Sequence, residues 1–286
     1  MVQPHTIIFT LYGAYIEPRG GVIWAGSLIK ALAAFGISEQ AARKVLSRMR
    51  RKGWLQVRKH GRQSYYFLTE AGSTLTKAGG RRGLAPKAAT WSGEWHLLTY
   101  RIPEAQRQLR DRLRQRLAWM GYASLSSSTW ISPYDRGQDL DRTLALLRVQ
   151  GYVERFTARY QESRGNKELA ARLWDLTGLN QRCRAFLTKY QAESEEHKGN
   201  LARGEELDLE RCFVRRFELM LDYMDIGFAD PNLPPELLPD DWAGREAEAL
   251  FREYRDLLTE PANHFFDSVF KGPPPQPTAS NRSADR

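Results

Sequence analysis

Between residues 43 and 62 stand nine long cations: Arg43, Lys44, Arg48, Arg50, Arg51, Lys52, Arg58, Lys59 and Arg62. The acids bordering this run are Glu39 and Glu70. Guanidinium and ammonium groups at this density suit a polyanion. An arginine fork fits a phosphate or the edge of guanine, and a glutamine such as Gln40 fits adenine. Three explanations compete: an ordinary solvated face, a targeting tag, and a surface shaped to read nucleic acid.

The phase of the apolar residues separates them. Wound at about 100° per residue, Ala41, Ala42, Val45, Leu46 and Met49 share one side of a helix. Gln40, Lys44, Ser47 and Arg51 fall opposite, with Arg43 and Arg48 at the flanks. A targeting tag needs no such phase. A solvated helix usually mixes charges at i,i+4 spacing, whereas this outer face is expected to carry no paired acid. Ser38 offers an N-cap hydroxyl, Glu39 suits the first turn, and Gly53 ends the helix. Beyond Gly53, "WLQVRK" and "SYYFLT" flank His60-Gly61-Arg62, a hairpin signal. The predicted DNA-binding set is Ser38, Gln40, Arg43, Lys44, Ser47, Arg48 and Arg51 on the helix. Arg58, Lys59, His60 and Arg62 join it at the hairpin tip, to meet phosphates or the adjacent minor groove.

A second group with chemical potential is Asp135, Asp139 and Asp141 in "YDRGQDLD". Three carboxylates in a loop can hold Mg²⁺, so the alternative function is a metal-dependent nuclease. A polar turn with Asp139 as helix N-cap is preferred, since no spaced Asp, Glu or His set accompanies the three. The histidines His5, His60, His96, His197 and His264 show no zinc spacing. No nucleophile elbow or nucleotide-binding glycine motif occurs, and "KAGGRRG" lacks the strand-loop-helix context of a phosphate loop. The expectation is therefore no catalytic residue, no metal and no cofactor.

These residues need elements to position them. The chain has 286 residues, 42% of them hydrophobic, enough for more than one core. Its net charge of +9 is unevenly spread: residues 1–90 hold 15 Lys/Arg against 3 Asp/Glu, while the remainder is mildly acidic. Such asymmetry indicates a polyanion-binding module joined to a neutral one. No apolar run reaches the roughly 18 residues of a membrane span. "HTIIFTLYGAY" is expected to be a first helix rather than a signal peptide. Cys183 and Cys212 are expected to be buried reduced thiols, and a cytoplasmic location is expected.

Helices are predicted near 5–15, 22–35 and 38–52, followed by the hairpin: a winged helix-turn-helix at 1–75. A linker follows at 76–93. Residues 94–163 read β-α-β-β-α-β, the ferredoxin-like order, with Pro103 opening the first helix of that unit. Residues 164–271 read as helices, the first two separate or bent near Gly178 and the last broken near Pro261. The proline-rich 272–286 is expected to be a disordered tail. The fold class is α+β and multidomain.

Several stretches then resemble one family. "TIIFTLYGAYI", "GISEQAARKVLSRMRRKGWL", "GRQSYYFLTEAG", "WSGEWHLLTYRIPE" and "DPNLPPELLPDDWAG" occur in the order typical of the PaaX transcriptional repressors of phenylacetate degradation. The likeness covers nearly the whole chain except the tail. It implies a ligand-responsive repressor with a ferredoxin-like middle domain, 94–163, associated with dimerisation, released from DNA by an aryl-acyl-CoA, phenylacetyl-CoA being the family's inducer. Two recognition helices on the two-fold axis of such a homodimer are expected to read a palindromic operator. Trp95, Trp130 and Trp174 are candidates to line an aryl pocket, and Arg101 and Arg159 to meet the CoA phosphates. Against this regulator stand the nuclease and, more weakly, a non-specific nucleoid-type binder.

Overall fold

The computed structural model describes residues 3–83, 91–163 and 165–272, except for the side chains at 78–83. Residues 84–90 of the expected linker at 76–93, and 273–286 of the expected tail at 272–286, lie outside the described residues.

The chain opens with α1 (Pro4–Leu11), which runs into a π-helical turn at Tyr12–Ile16. A short strand β1 (Val22–Trp24) precedes α2 (Ala25–Ala33). The sequence pattern merges these three residues into the helix. Their strand character comes from pairing with a distant partner, Val22 opposite Phe67 and Trp24 opposite Tyr65. Then come α3 (Glu39–Arg51), β2 (Leu55–His60), β3 (Gln63–Leu68) and α4 (Glu70–Gly83). Most of α4 falls where a linker is expected, because its glycines weaken the helical signal. The three strands form an antiparallel sheet in the order β1-β3-β2.

The second stretch holds β4 (Trp95–Tyr100), α5 (Arg107–Trp119), β5 (Ala123–Ser124), β6 (Thr129–Ser132), α6 (Gly137–Leu147) and β7 (Val153–Ala158). The sheet order is β5-β6-β4-β7, antiparallel throughout. Pro103 does not open α5; it caps a 3-10 turn at Glu104–Gln106 that leads into it. Helices α7 (Gly165–Leu173), α8 (Leu176–Ala202), α9 (Leu209–Ala229) and α10 (Gly244–Val269) follow. The break before α8 lies at 174–175 rather than at Gly178, and α10 continues through Pro261.

Packing divides the described chain into two compact units that are not contiguous segments. One gathers residues 3–83, 190–224 and 250–272, and the other 91–189 and 225–249. In the first unit the N-terminal module and the late helices share one core. Tyr15, Leu28, Leu46 and Met49 are buried in the same cluster as Phe213, Phe217 and Phe266. In the second unit Leu98, Tyr100 and Trp130 of the sheet pack on Leu113 and Leu117 of α5 and Leu140 and Leu144 of α6. Cys183 and Cys212 are both buried, and neither is in a disulfide among the described residues. Among the described residues no helix is long and apolar enough to cross a membrane.

Candidate nucleic-acid interface

Helix α3 begins where the Ser38 hydroxyl accepts a hydrogen bond from the Ala41 amide at 3.3 Å. That satisfies one of the amides the first turn leaves free. Ala42, Val45, Leu46 and Met49 are buried. Gln40, Arg43, Lys44, Ser47, Arg48, Arg50 and Arg51 are all exposed. The last turn carries Arg48, Arg50 and Arg51, where the helix's negative end favours cations. Gly53 then turns the chain with φ +69°, a left-handed conformation that suits glycine.

The expectation of an outer face with no paired acid is corrected at one position. Arg43 is bound to Glu39 one turn away, with Nη2 at 2.6 Å and Nε at 2.8 Å from the same carboxylate oxygen. The i,i+4 spacing of an acid and a base on one helix permits this pair. Lys44, Arg48, Arg50, Arg51, Lys52, Arg58, Lys59 and Arg62 have no ion pair among the described residues.

The hairpin places His60 opposite Gln63, so Gly61 and Arg62 alone form its tip, with Gly61 at φ +56°. Arg58, Lys59, His60 and Arg62 are exposed around it. Arg58 also lies 5.4 Å over the Phe67 ring. Behind the C-terminus of α3, Lys52 caps the Trp54 ring at 4.4 Å, and Trp54 packs on Phe9 and His5. Burial, then the charges of Lys52 and Arg48, hold the His5 pKa below its usual 6.5. The cations of α3 and the hairpin thus cover one continuous tract of sequence and fall on one compact unit. Arg50 and Lys52 stand in the same basic run but fall outside the predicted set, because their angles on the helical wheel lie off the face that Gln40, Lys44, Ser47 and Arg51 share.

The other predicted site residues scatter. Trp95 is 1% exposed, and its Nε1 donates to Asn166 Oδ1 at 2.8 Å. It stacks on Trp174 at 6.2 Å and meets Trp91 edge-on at 5.1 Å. Trp130 lies in the separate core cluster with Leu98 and α5. Arg101 and Arg159 are exposed, and Arg159 reaches Glu94 at 3.4 Å. The structure therefore brings Trp95 and Trp174 together and places Trp130 in a different core cluster.

The three aspartates are engaged separately. Asp135 accepts the Gly137 amide at 2.8 Å, Asp139 lies 3.8 Å from Arg142, and Asp141 pairs with Arg155 at 2.9 Å. The helix N-cap is Arg136, with Asp139 in the first turn, so the expected capping role of Asp139 is corrected. Among the described residues no group of three or more His, Cys, Asp or Glu is arranged to hold a metal.

Three family profiles match in chain order. The PaaX-like protein profile covers residues 3–72, the PaaX protein central Cas2-like domain 88–170, and the PaaX-like protein C-terminal domain 174–268. The chain is 32% identical over 252 residues to the transcriptional repressor PaaX of Escherichia coli K12, covering 87% of this chain and 78% of that protein. The chain belongs to the PaaX family. That family is one of transcriptional regulators rather than enzymes. All eleven predicted DNA-binding residues fall within the first PaaX match, and Trp95, Arg101, Trp130 and Arg159 within the second. A solved structure of an uncharacterized protein from Mycobacterium tuberculosis is similar in fold, with TM-score 0.60 and 24% identity over 93% of this chain and 97% of that one.

Proposed function

We propose that this PaaX-family chain is a DNA-binding transcriptional repressor whose residues 1–75 act as a winged helix-turn-helix. The observation that carries the reading is the exposed face of α3, where Lys44, Arg48, Arg50 and Arg51 stand without an acidic partner among the described residues. Desolvating a paired cation returns little, whereas an unpaired one releases counterions from DNA on contact. In this reading Gln40, Lys44, Ser47, Arg48 and Arg51 face the major groove. Arg58, Lys59, His60 and Arg62 reach the flanking backbone or minor groove from the hairpin.

The central β-α-β-β-α-β unit is read as ferredoxin-like and as the dimerising domain; its strand order β5-β6-β4-β7 supports the first part. Two copies on a two-fold axis would read a palindromic operator with half-sites about one helical turn or a multiple apart. Release by an aryl-acyl-CoA such as phenylacetyl-CoA, and control of a phenylacetate-type operon, rest on the family. Trp174, half-buried beside Trp95, and the exposed Arg101 and Arg159 remain the effector contacts proposed here.

The test is a gel-shift titration on DNA upstream of the chain's own operon, with and without phenylacetyl-CoA and other acyl-CoAs. Specific binding released by an aryl-acyl-CoA is expected. Equal affinity for operator and random DNA at fixed salt would instead mark a nucleoid-type binder.

A further inference from the structure

Between the C-terminal half of α3 and strand β2 lies an open cleft of about 530 Å³, lined by Ser47, Arg50, Arg51, Leu55, Gln56 and Val57. Its walls come from two elements with different destinations on a duplex. A helix of this size enters the major groove, about 12 Å wide, and a basic hairpin beside it reaches the adjacent minor groove, about 6 Å wide. What separates those grooves is a single sugar-phosphate strand. The space between helix and hairpin must therefore receive that strand.

The lining has the matching chemistry. Arg50 and Arg51 bring two guanidinium groups without ion-pair partners among the described residues, and both are exposed. Ser47 and Gln56 add a hydroxyl and an amide, donors common at DNA phosphates. Val57, half-buried, adds a little apolar surface beside them, while Leu55 behind it belongs to the core. One feature opposes an anion here, the negative end of the α3 dipole. It is countered because the Lys52 amide already donates to the Arg48 and Arg50 carbonyls, and a full charge on each arginine exceeds the half charge of a helix end.

We propose that this cleft seats a phosphate of the DNA strand dividing the major and minor grooves, with Arg50 and Gln56 as contacts and Arg51 shared between that phosphate and the major groove. The assignment rests on the DNA-binding reading above and adds two residues to it. It also states what they do: they position the duplex and carry no sequence information.

The experiment measures binding of the full chain to a random 30-base-pair duplex and to its own upstream DNA by fluorescence anisotropy, from about 50 to 200 mM salt. Arg50→Ala is expected to weaken both duplexes equally, by about eightfold at 0.1 M salt, and to lower the salt slope by about one unit. Gln56→Ala should weaken both equally with the slope unchanged, since it removes no charge. Arg50 is exposed and makes no ion pair among the described residues, so its variant should fold like the parent, losing only the small contribution of one last-turn cation to the helix end. Unchanged affinity in Arg50→Ala, while Lys44→Ala binds more weakly, would overturn the cleft and leave the DNA-binding reading standing. A loss confined to the upstream duplex would also overturn it, since that marks base reading. No salt-dependent binding by the parent chain would overturn both.

Discussion

Arg216 on α9 donates from Nη1 to the hydroxyl of Tyr15 at 2.9 Å, across 201 residues of sequence. Tyr15 is fully buried, and burial raises its pKa while Arg216 opposes the rise. Around this bond, Phe213 packs on Tyr15 and Phe35, and Arg19 pairs with Asp267 at 2.7 Å. The amide of Trp24 donates to the Lys271 carbonyl at 2.9 Å. The basic module is thus built on the late helices and shares their core.

A fragment of residues 1–83 should therefore lack a cooperative melting transition, because Phe213, Phe217 and Phe266 are missing from its core. Within the full chain, Arg216→Met should cost about 1.5–3 kcal/mol by removing a charged hydrogen bond to a buried hydroxyl. Thermal and urea melts check both. A stable, cooperatively folding 1–83 fragment would show that the shared core is dispensable.

The Glu39–Arg43 pair predicts an unequal alanine scan. Arg43 already has a partner and Lys44 has none among the described residues, so Lys44→Ala should weaken DNA binding more than Arg43→Ala. Conversely, Glu39→Gln frees Arg43 and should tighten binding and steepen the salt slope by up to about one unit. Loss of the acid from the first turn costs about 0.3–1 kcal/mol of stability. A salt slope identical to the parent in Glu39→Gln would show that Arg43 never approaches a phosphate.

What was legible in the sequence was local. Helix α3 could be bounded from Ser38 and Gly53, because capping and glycine chemistry act within a few residues, and its buried face follows from apolar phase alone. The hairpin was legible for the same reason, since Gly61 and the flanking β-prone runs are adjacent. Strand β1 was not, because only its pairing with β3 makes Val22–Trp24 extended. The stacking of Trp95 on Trp174 and the seating of Phe213 against Tyr15 join residues far apart in the chain, and no period or spacing encodes them. The cleft beside Arg50 is likewise a product of two elements, and neither one shows it alone.

Gly72 in the first turn of α4 offers a test of how tightly that helix holds the hairpin. A Cβ there would collide with the carbonyl oxygen of Trp54, and its own amide donates to the Thr69 hydroxyl at 3.1 Å. In a free helix Gly→Ala gains up to about 1 kcal/mol. Here the collision is with backbone, which must move, and overpacking costs about 1–3 kcal/mol. Gly72→Ala should therefore lower the melting temperature, and because Trp54 leads directly into β2, it should weaken DNA binding as well. A raised melting temperature would mean that the backbone yields at no cost.

His197 supplies the pH dependence. It is buried, its Nδ1 lies 3.1 Å from the Tyr254 hydroxyl, and burial holds its pKa below 6.5. Glu193 pulls the other way, followed by Arg211 acting with burial. The folded chain then binds fewer protons at this site than the unfolded chain below pH 6.5, so stability rises with pH there. The contribution is complete above 6.5 and is lost as pH falls through the depressed folded value. His5, shifted the same way, adds to the loss. His197→Gln keeps an acceptor for Tyr254 but cannot be protonated in this range. Melting temperatures at pH 7.5 and 5.5 should fall further apart in the parent than in this variant. An equal pH response in the two would place the titration elsewhere.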